Sequence, residues 1–211
     1  MAEGVRSGSF VNRSPTVSDG GITLRLIRQR DAPAWREVRR RNRDWLQPWE
    51  ATLPPEASLI TEVPATFGEM VRRMRKDARA GRALPWAIIV DGQFAGQLTV
   101  GGITYGSLRS AYIGYWIDKE LAGRGIMPTA VAMACDYCLD VMRLHRIEIN
   151  IRPENTASLR VVEKIGMRKE GERPKFLHID GEWRDHVTYV VVSGEFPEGV
   201  LDHLRARHAE R

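Results

Sequence analysis

One stretch of this chain constrains its fold more than any other. From Tyr112 to Leu139 an apolar strand, Tyr112-Ile113-Gly114-Tyr115-Trp116-Ile117, breaks into Ala122-Gly123-Arg124-Gly125-Ile126-Met127 and then into a helix. Proline lacks the N–H that goes unpaired in a first helical turn, which places the helix start near Pro128. Two glycines ahead of it let the backbone turn tightly and gather several free N–H groups at one point. Those groups and the helix dipole favour a phosphate there. Arg124 adds a mobile cation. The segment is a candidate pyrophosphate cradle, and equally a turn that needs glycine for structural reasons alone. It has neither the third glycine of a dinucleotide fingerprint nor the Gly-Lys-Ser/Thr ending of a nucleoside-triphosphate loop.

A length of 211 residues fits one domain with a substantial core, and an apolar content of 43% agrees with that. No apolar run approaches the roughly 18 residues of a membrane span, so no membrane partner is expected. Residues 1–20 are rich in Ser and Gly without the apolar centre of a signal peptide. They read as a flexible lead-in, and a cytoplasmic location is the default expectation. Cys135 and Cys138 are spaced C-x-x-C, but inside the expected helix rather than at its start. Two buried thiols account for them better than a redox pair does, and a zinc site would need more ligands, so no metal is expected. The net charge of +5 suits an anionic ligand or a ribosome-like environment, and equally an ordinary basic surface. No strand interleaves aromatic with basic residues, so direct nucleic-acid binding is not expected.

Along the chain, residues 22–27 alternate as a first strand and residues 31–43 read as an amphipathic helix capped by Asp31. Residues 42–50 read as a loop holding Trp45 and Trp49, and residues 65–80 as a second helix. Residues 84–90 and 93–101 form a hairpin about Asp91-Gly92. Residues 145–152 make a further strand, with Ile147, Ile149 and Ile151 on one face and Glu148, Asn150 and Arg152 on the other. Asn155 caps a helix over 156–165 that Gly166 ends. Residues 167–177 and 186–192 close as a strand pair around Asp180-Gly181, and residues 196–211 read as a surface helix or frayed tail. The pattern is one α+β domain, a mixed sheet with flanking helices.

The order strand, Gly-rich turn, helix, strand, Asn-capped helix, strand resembles the GCN5-related N-acetyltransferases (GNAT). The residues that carry the resemblance are Ala122 to Met127, and Asn155-Thr156-Ala157-Ser158 followed by Glu163-Lys164-Ile165-Gly166-Met167. It implies a three-layer α/β/α domain over residues 21–195, whose mostly antiparallel sheet splays into a V between its two central strands. In that family the turn binds the pyrophosphate of acetyl-CoA and the Asn-led segment lies beside the pantetheine arm. Gly123, Arg124, Gly125, Ile126, Met127, Asn155, Ser158 and Lys164 thereby become candidate cofactor-binding residues. Ala122 and Met127 depart from the Gln/Arg and Gly/Ala usual at the ends of the turn, which leaves its amides available. Asn42 to Glu50, Gly114 to Ile117 and Ile179 to His186 are similar to the RimJ/RimL group, which acetylates the α-amine of ribosomal proteins. The resemblance therefore implies an acetyl-CoA-dependent N-acetyltransferase, monomeric or homodimeric, acting on a protein N-terminus by direct attack, with a ribosomal protein among the acceptors. A GNAT acting on a small amine or antibiotic and a non-catalytic acyl-CoA-binding module are the alternatives.

Acetyl transfer from a thioester needs a neutral amine, a stabilised oxyanion and a proton for the departing thiolate. An α-amino group, with a pKa near 7.7–8.0 against about 10.4 for lysine, is already partly neutral. A carboxylate acting through water then suffices as base. Glu148, on the polar side of its strand, and Glu50 are the candidates, and each also reads as structural or acceptor-binding. Asp185 reads as half of a strand-end ion pair with Arg184. Many members of the family place a tyrosine where Val162 stands, so the acid role passes to Ser158, which corresponds to the serine assigned it in the RimL branch. A serine at a helix start also serves as a cap. Backbone N–H groups of Tyr115, Trp116 and Ile117 would meet the oxyanion and the pantetheine arm. Gly114 marks a bulge that splays their strand, or only relieves packing beside Trp116. Trp45, Trp49 and Trp183, in loops among polar neighbours, are the candidate walls for the acceptor, together with Glu50.

Overall fold

A computed structural model describes residues 15–58 and 63–209. One eight-stranded sheet frames it: β1 (Thr16–Asp19), β2 (Ile22–Leu26), β3 (Leu84–Val90), β4 (Gln93–Thr104), β5 (Ser110–Ile117), β6 (Arg146–Ile151), β7 (Arg168–Ile179) and β8 (Glu182–Val192). The spatial order is β1-β2-β3-β4-β5-β6-β8-β7, and every neighbouring pair is antiparallel except β5 with β6. The helices are α1 (Ala32–Arg41), α2 (Arg43–Leu46), α3 (Pro55–Ser58), α4 (Phe67–Arg79), α5 (Ile126–Asp136), α6 (Thr156–Ile165) and α7 (Val200–Ala209).

Alternation along the strands sorts the core into two layers. Leu24, Trp86, Ile88, Leu98, Ile113 and Ile147 pack with α5 and α6, while Ile27, Ala87 and Ile89 pack with Phe67 and Val71 of α4 and Trp35 of α1. Each such Leu or Ile contributes about 1.5–3 kcal/mol by leaving water. The result is the expected α/β/α sandwich. No helix among the described residues is long and apolar enough to cross a membrane.

The expected V is present. Parallel pairing lasts only from Ser110–Tyr112 against Arg146–Glu148, although β5 runs on to Ile117 and β6 to Ile151. Beyond that point each strand keeps its own antiparallel partner, β5 following β4 and β6 following β8, so the two part. Gly114 marks no bulge, since β5 stays in register with β4 across it. Nothing lies within 4 Å of where its Cβ would be, so it relieves no packing either.

Several boundaries differ from the sequence reading. The lead-in expected over residues 1–20 does not hold for Thr16–Asp19, which pair with β2; residues 1–14 lie outside the described residues. Residues 42–50 are not a plain loop but α2 followed by a 3-10 turn, Gln47–Trp49. The segment expected as a surface helix or tail is docked: Val200 and Leu204 are 1% and 2% exposed. The Asp136 carboxylate accepts from Val200 N at 2.6 Å and Leu201 N at 3.0 Å, which satisfies the start of α7. Asp31 does not cap α1 with its side chain; its carboxylate accepts from the Arg25 guanidinium and from Arg28 N, each at 2.8 Å.

The end of β5 is tied to the end of α1 through Asp118, 2% exposed. Its carboxylate accepts from Arg41 and, at 2.9 Å, from Asn42 Nδ2; Asn42 Oδ1 in turn accepts from Lys119 N at 2.9 Å. Burial alone would raise this carboxyl, but the bonds from Arg41 and Asn42 outweigh it and hold it below its ordinary 3.8. Asp118→Ala should cost about 3 kcal/mol in a denaturant melt, because buried Asn42 loses an acceptor while Arg41, 39% exposed, can turn to water. With a depressed folded value, the contribution is complete above pH 3.8 and disappears as pH falls through that lower value. Acid unfolding of Asp118→Asn should therefore be less steep than that of the parent chain below about pH 4.

Candidate active site

The parting strands open a cleft of about 780 Å³ that reaches from the α5–α6 side of the sheet to the α1–α2 side. On the first side α5 begins at Ile126, two residues earlier than Pro128 implied, with Gly125 as its left-handed N-cap at φ 78°. Gly123 is left-handed too, at φ 81°, a conformation that costs other residues but not glycine. No side chain caps α5, and the space around both glycines is open. The first-turn amides therefore point at an empty corner, which fits an anionic group.

Asn155 caps α6 as expected, its Oδ1 accepting from Ser158 N at 3.0 Å. Helical spacing i, i+3, i+4, i+7 then turns Ala157, Arg160, Val161 and Lys164 toward the same cleft. Arg160 was not anticipated, although its place one turn before Lys164 carries that signal. Gly123, Gly125, Met127, Asn155, Ser158 and Lys164 all line the cleft. Ile126 is instead buried under the helix, and Arg124 stands exposed on the turn outside the wall.

At the fork lie Tyr115, Trp116 and Ile117. Past Tyr112 the β6-facing edge of β5 is unpaired, leaving backbone donors at every second residue turned into the gap. The Tyr115 side chain has a place that its backbone role did not suggest: its Oη lies 2.7 Å from Ser158 Oγ. Burial pushes the Tyr115 phenol well up, against a smaller opposing pull from Ser158, so it stays protonated. The tyrosine missing at Val162 is thus matched by one reaching in from the strand.

On the far side α2 and the 3-10 turn place Trp45, Leu46, Trp49 and Glu50 in the wall. Arg152 lies over the Trp49 ring at 5.2 Å and donates to Pro48 O at 2.7 Å; Lys119 Nζ stands 5.7 Å from the Trp45 ring. Glu50 meets Arg39 at 2.5 Å, and Arg39 spreads over Trp35 and Trp116 at 5.3 and 5.4 Å. Among the described residues Glu50 is the one carboxylate in the wall.

Three expected roles do not fit the geometry. Glu148 lies outside the wall, held between Arg146 Nε at 2.9 Å and Arg173 at 2.8 Å. Trp183 is 54% exposed against the His178 ring and also stands outside. Its hairpin supports the chamber indirectly, Asp180 N donating to Glu50 O at 3.0 Å and Gly181 N to Thr52 Oγ1 at 3.0 Å. Arg184 and Asp185 do not pair with each other: Arg184 meets Glu182 at 3.0 Å and Asp185 accepts from Lys175 N at 2.7 Å.

The arrangement is an anion corner, a hydroxyl pair at the fork and an indole-walled chamber beyond, a layout suited to passing a group between two ligands that enter from opposite sides. Comparison with known proteins agrees. The acetyltransferase (GNAT) domain family matches residues 22–168. A probable N-acetyltransferase of Bacillus subtilis, YjcK, is 31% identical over 172 residues, covering 82% of this chain and 94% of its own. The [ribosomal protein uS5]-alanine N-acetyltransferase of Escherichia coli is 28% identical over 180 residues, covering 84% and 91%. Among solved structures, Mycobacterium smegmatis RimJ in complex with CoA-disulfide shares 40% identity over 89% of both chains, with a TM-score of 0.81.

Proposed function

We propose, from the premise that this chain belongs to the GNAT family and is an acetyl-CoA-dependent N-acetyltransferase, that its acceptor is the N-terminal α-amine of a protein, a ribosomal protein first among those to test. One observation carries the choice. Among the described residues the chamber wall holds one carboxylate, Glu50, paired with Arg39, while Arg152 and Lys119, outside the wall, lie over the Trp49 and Trp45 rings. A polyamine or aminoglycoside brings several positive charges and would be repelled there, whereas one α-amine needs one carboxylate. The relatives whose names specify ribosomal proteins support the same reading.

Bound acetyl-CoA supplies an activated acyl group and a thiolate leaving group. The uncapped amides of Gly125 to Met127, with Arg160 and Lys164, hold its phosphates. The unpaired edge of β5 from Tyr115 to Ile117 fixes the arm and offers an N–H to developing negative charge. Glu50 receives the incoming amine and its proton, directly or through water. Ser158, aligned by Tyr115 Oη, donates a proton on the thiolate side. Glu148, doubly paired, has no part in this.

The test is mass spectrometry of products with acetyl-CoA and peptides beginning with Ala, Ser or Met, alongside spermidine and an aminoglycoside. Acetylation of the peptide α-amine is expected; turnover confined to the small amines would overturn the acceptor reading and leave the family intact. Arg160→Ala with Lys164→Ala should raise the KM for acetyl-CoA about tenfold, the loss of roughly 1.4 kcal/mol of charge-assisted binding, with kcat little changed.

A further inference from the structure

Positive charge is concentrated in two segments. Residues 25–43 and 67–82 hold 14 of the 32 Lys and Arg residues but only 4 of the 27 Asp and Glu, so they carry +10 while the rest of the chain carries −5. The fold brings the two together on the sheet face opposite α5. Trp35 of α1 packs on Phe67 of α4 at 5.2 Å, and Gln29 Nε2, in the turn before α1, donates to Gly68 O at 3.1 Å. With Phe67, Val71 and Ala78 buried, helical spacing sets Arg72, Arg75, Lys76 and Arg79 along one flank of α4. That flank continues into Arg28 and Arg30 of the turn.

The local acids are already engaged. Asp31 binds Arg25, Glu37 binds Arg40, Asp77 binds Arg82, and Glu69 is shared between Ala65 N and a long contact to Arg72 at 3.8 Å. Partial burial lowers the Arg28 guanidinium, and Arg25, Arg30 and Arg75 lower it further, the mark of like charges held close. Such a patch opposes its own folding and is relieved by a polyanion.

We propose that this α1–α4 face docks the phosphate backbone of double-helical RNA. Arginine forks, which dominate the patch, match phosphate geometry. No large apolar side chain is exposed in either segment. A stacking platform for unpaired bases is therefore missing, as is the apolar centre of a protein interface. Backbone contact to a duplex needs neither. The flank from Arg72 to Arg79 spans about 10 Å. Arg39, on the same helix as Arg36 and Arg40, lines the acceptor chamber, so a bound duplex would lie beside the acceptor's route. The choice of RNA over DNA rests on the proposed ribosomal acceptor; the binding measurement uses no acceptor, so the two readings fail separately.

The experiment is fluorescence anisotropy of the full chain with a labelled RNA hairpin. For three to four phosphates, affinity should fall about 40- to 150-fold between about 50 and about 200 mM salt. Arg72→Gln/Arg75→Gln/Arg79→Gln should weaken binding at least tenfold and flatten the salt slope by about 2 to 3, with peptide acetylation unchanged and the thermal midpoint no lower than the parent's, since like charges are removed. No binding by the parent chain, an unaffected triple variant, equal affinity for a DNA duplex, or displacement of the RNA by polyglutamate at equal charge would each overturn the proposal.

Discussion

Ser158→Ala should lower kcat about 100-fold with the KM for acetyl-CoA nearly unchanged, and Tyr115→Phe about tenfold, but only while Ser158 is present. The geometry separates this from a capping role. The bond that caps α6 uses the Ser158 backbone N–H and the Asn155 side chain, and alanine keeps that N–H. The hydroxyl instead meets Tyr115 Oη at 2.7 Å. Burial keeps the phenol protonated, so Tyr115 is able to donate to Ser158 Oγ, and in that orientation the serine's own proton is free to turn into the cleft. Removing the phenol oxygen frees that rotor without removing the proton. In a double-mutant cycle the tyrosine change should add less than about twofold in the Ser158→Ala background. Equal, additive losses would show that the two hydroxyls act independently, and an unaltered kcat in Ser158→Ala would remove the serine from the chemistry.

Much of this site was legible because its signals are local. The glycines at 123 and 125 and Asn155 act within one turn of backbone, so spacing alone marked the left-handed turn before α5 and the α6 cap. Trp45, Trp49 and Glu50 could be set in a loop near the acceptor, although the short helix that aims them depends on Asn42 reaching Asp118 across the sheet. What sequence could not give was pairing between distant segments. Glu148 looked available on the polar face of β6, but Arg173 comes to it from β7. Ser158 reads in the sequence as acid or cap, and nothing local showed that Tyr115 reaches it from β5. The basic face is the same case. An aromatic-basic strand pattern reports on unpaired bases, whereas this charge becomes dense only when the 28–30 turn and α4 meet.

The fork itself offers the sharpest contrast, because sequence points to one glycine and packing to another. Gly96→Ala should destabilise the chain by about 2–3 kcal/mol and raise the KM for acetyl-CoA, while Gly114→Ala stays within about 0.5 kcal/mol of the parent. A Cβ on Gly96 would run into the Trp116 carbonyl oxygen and stand 2.9 Å from Ile117 Cα. These are backbone atoms of the neighbouring central strand, paired in register with Gly96 and unable to swing aside as a side chain would. The gain from a stiffer unfolded chain, about 0.4–1 kcal/mol, offsets only part of that. Relief requires β5 to shift, and the side away from β4 is the gap proposed for the pantetheine arm. Narrowing the gap is why binding and stability should fall together. Gly114 sits two residues past the last β5–β6 pair with open space about it, so a methyl there displaces nothing. Guanidinium melts and acetyl-CoA titrations of the two variants decide it. If Gly96→Ala melts with the parent chain, β4 does not hold β5 at the fork, and the parting of the strands must come from β6 and its pairing with β8.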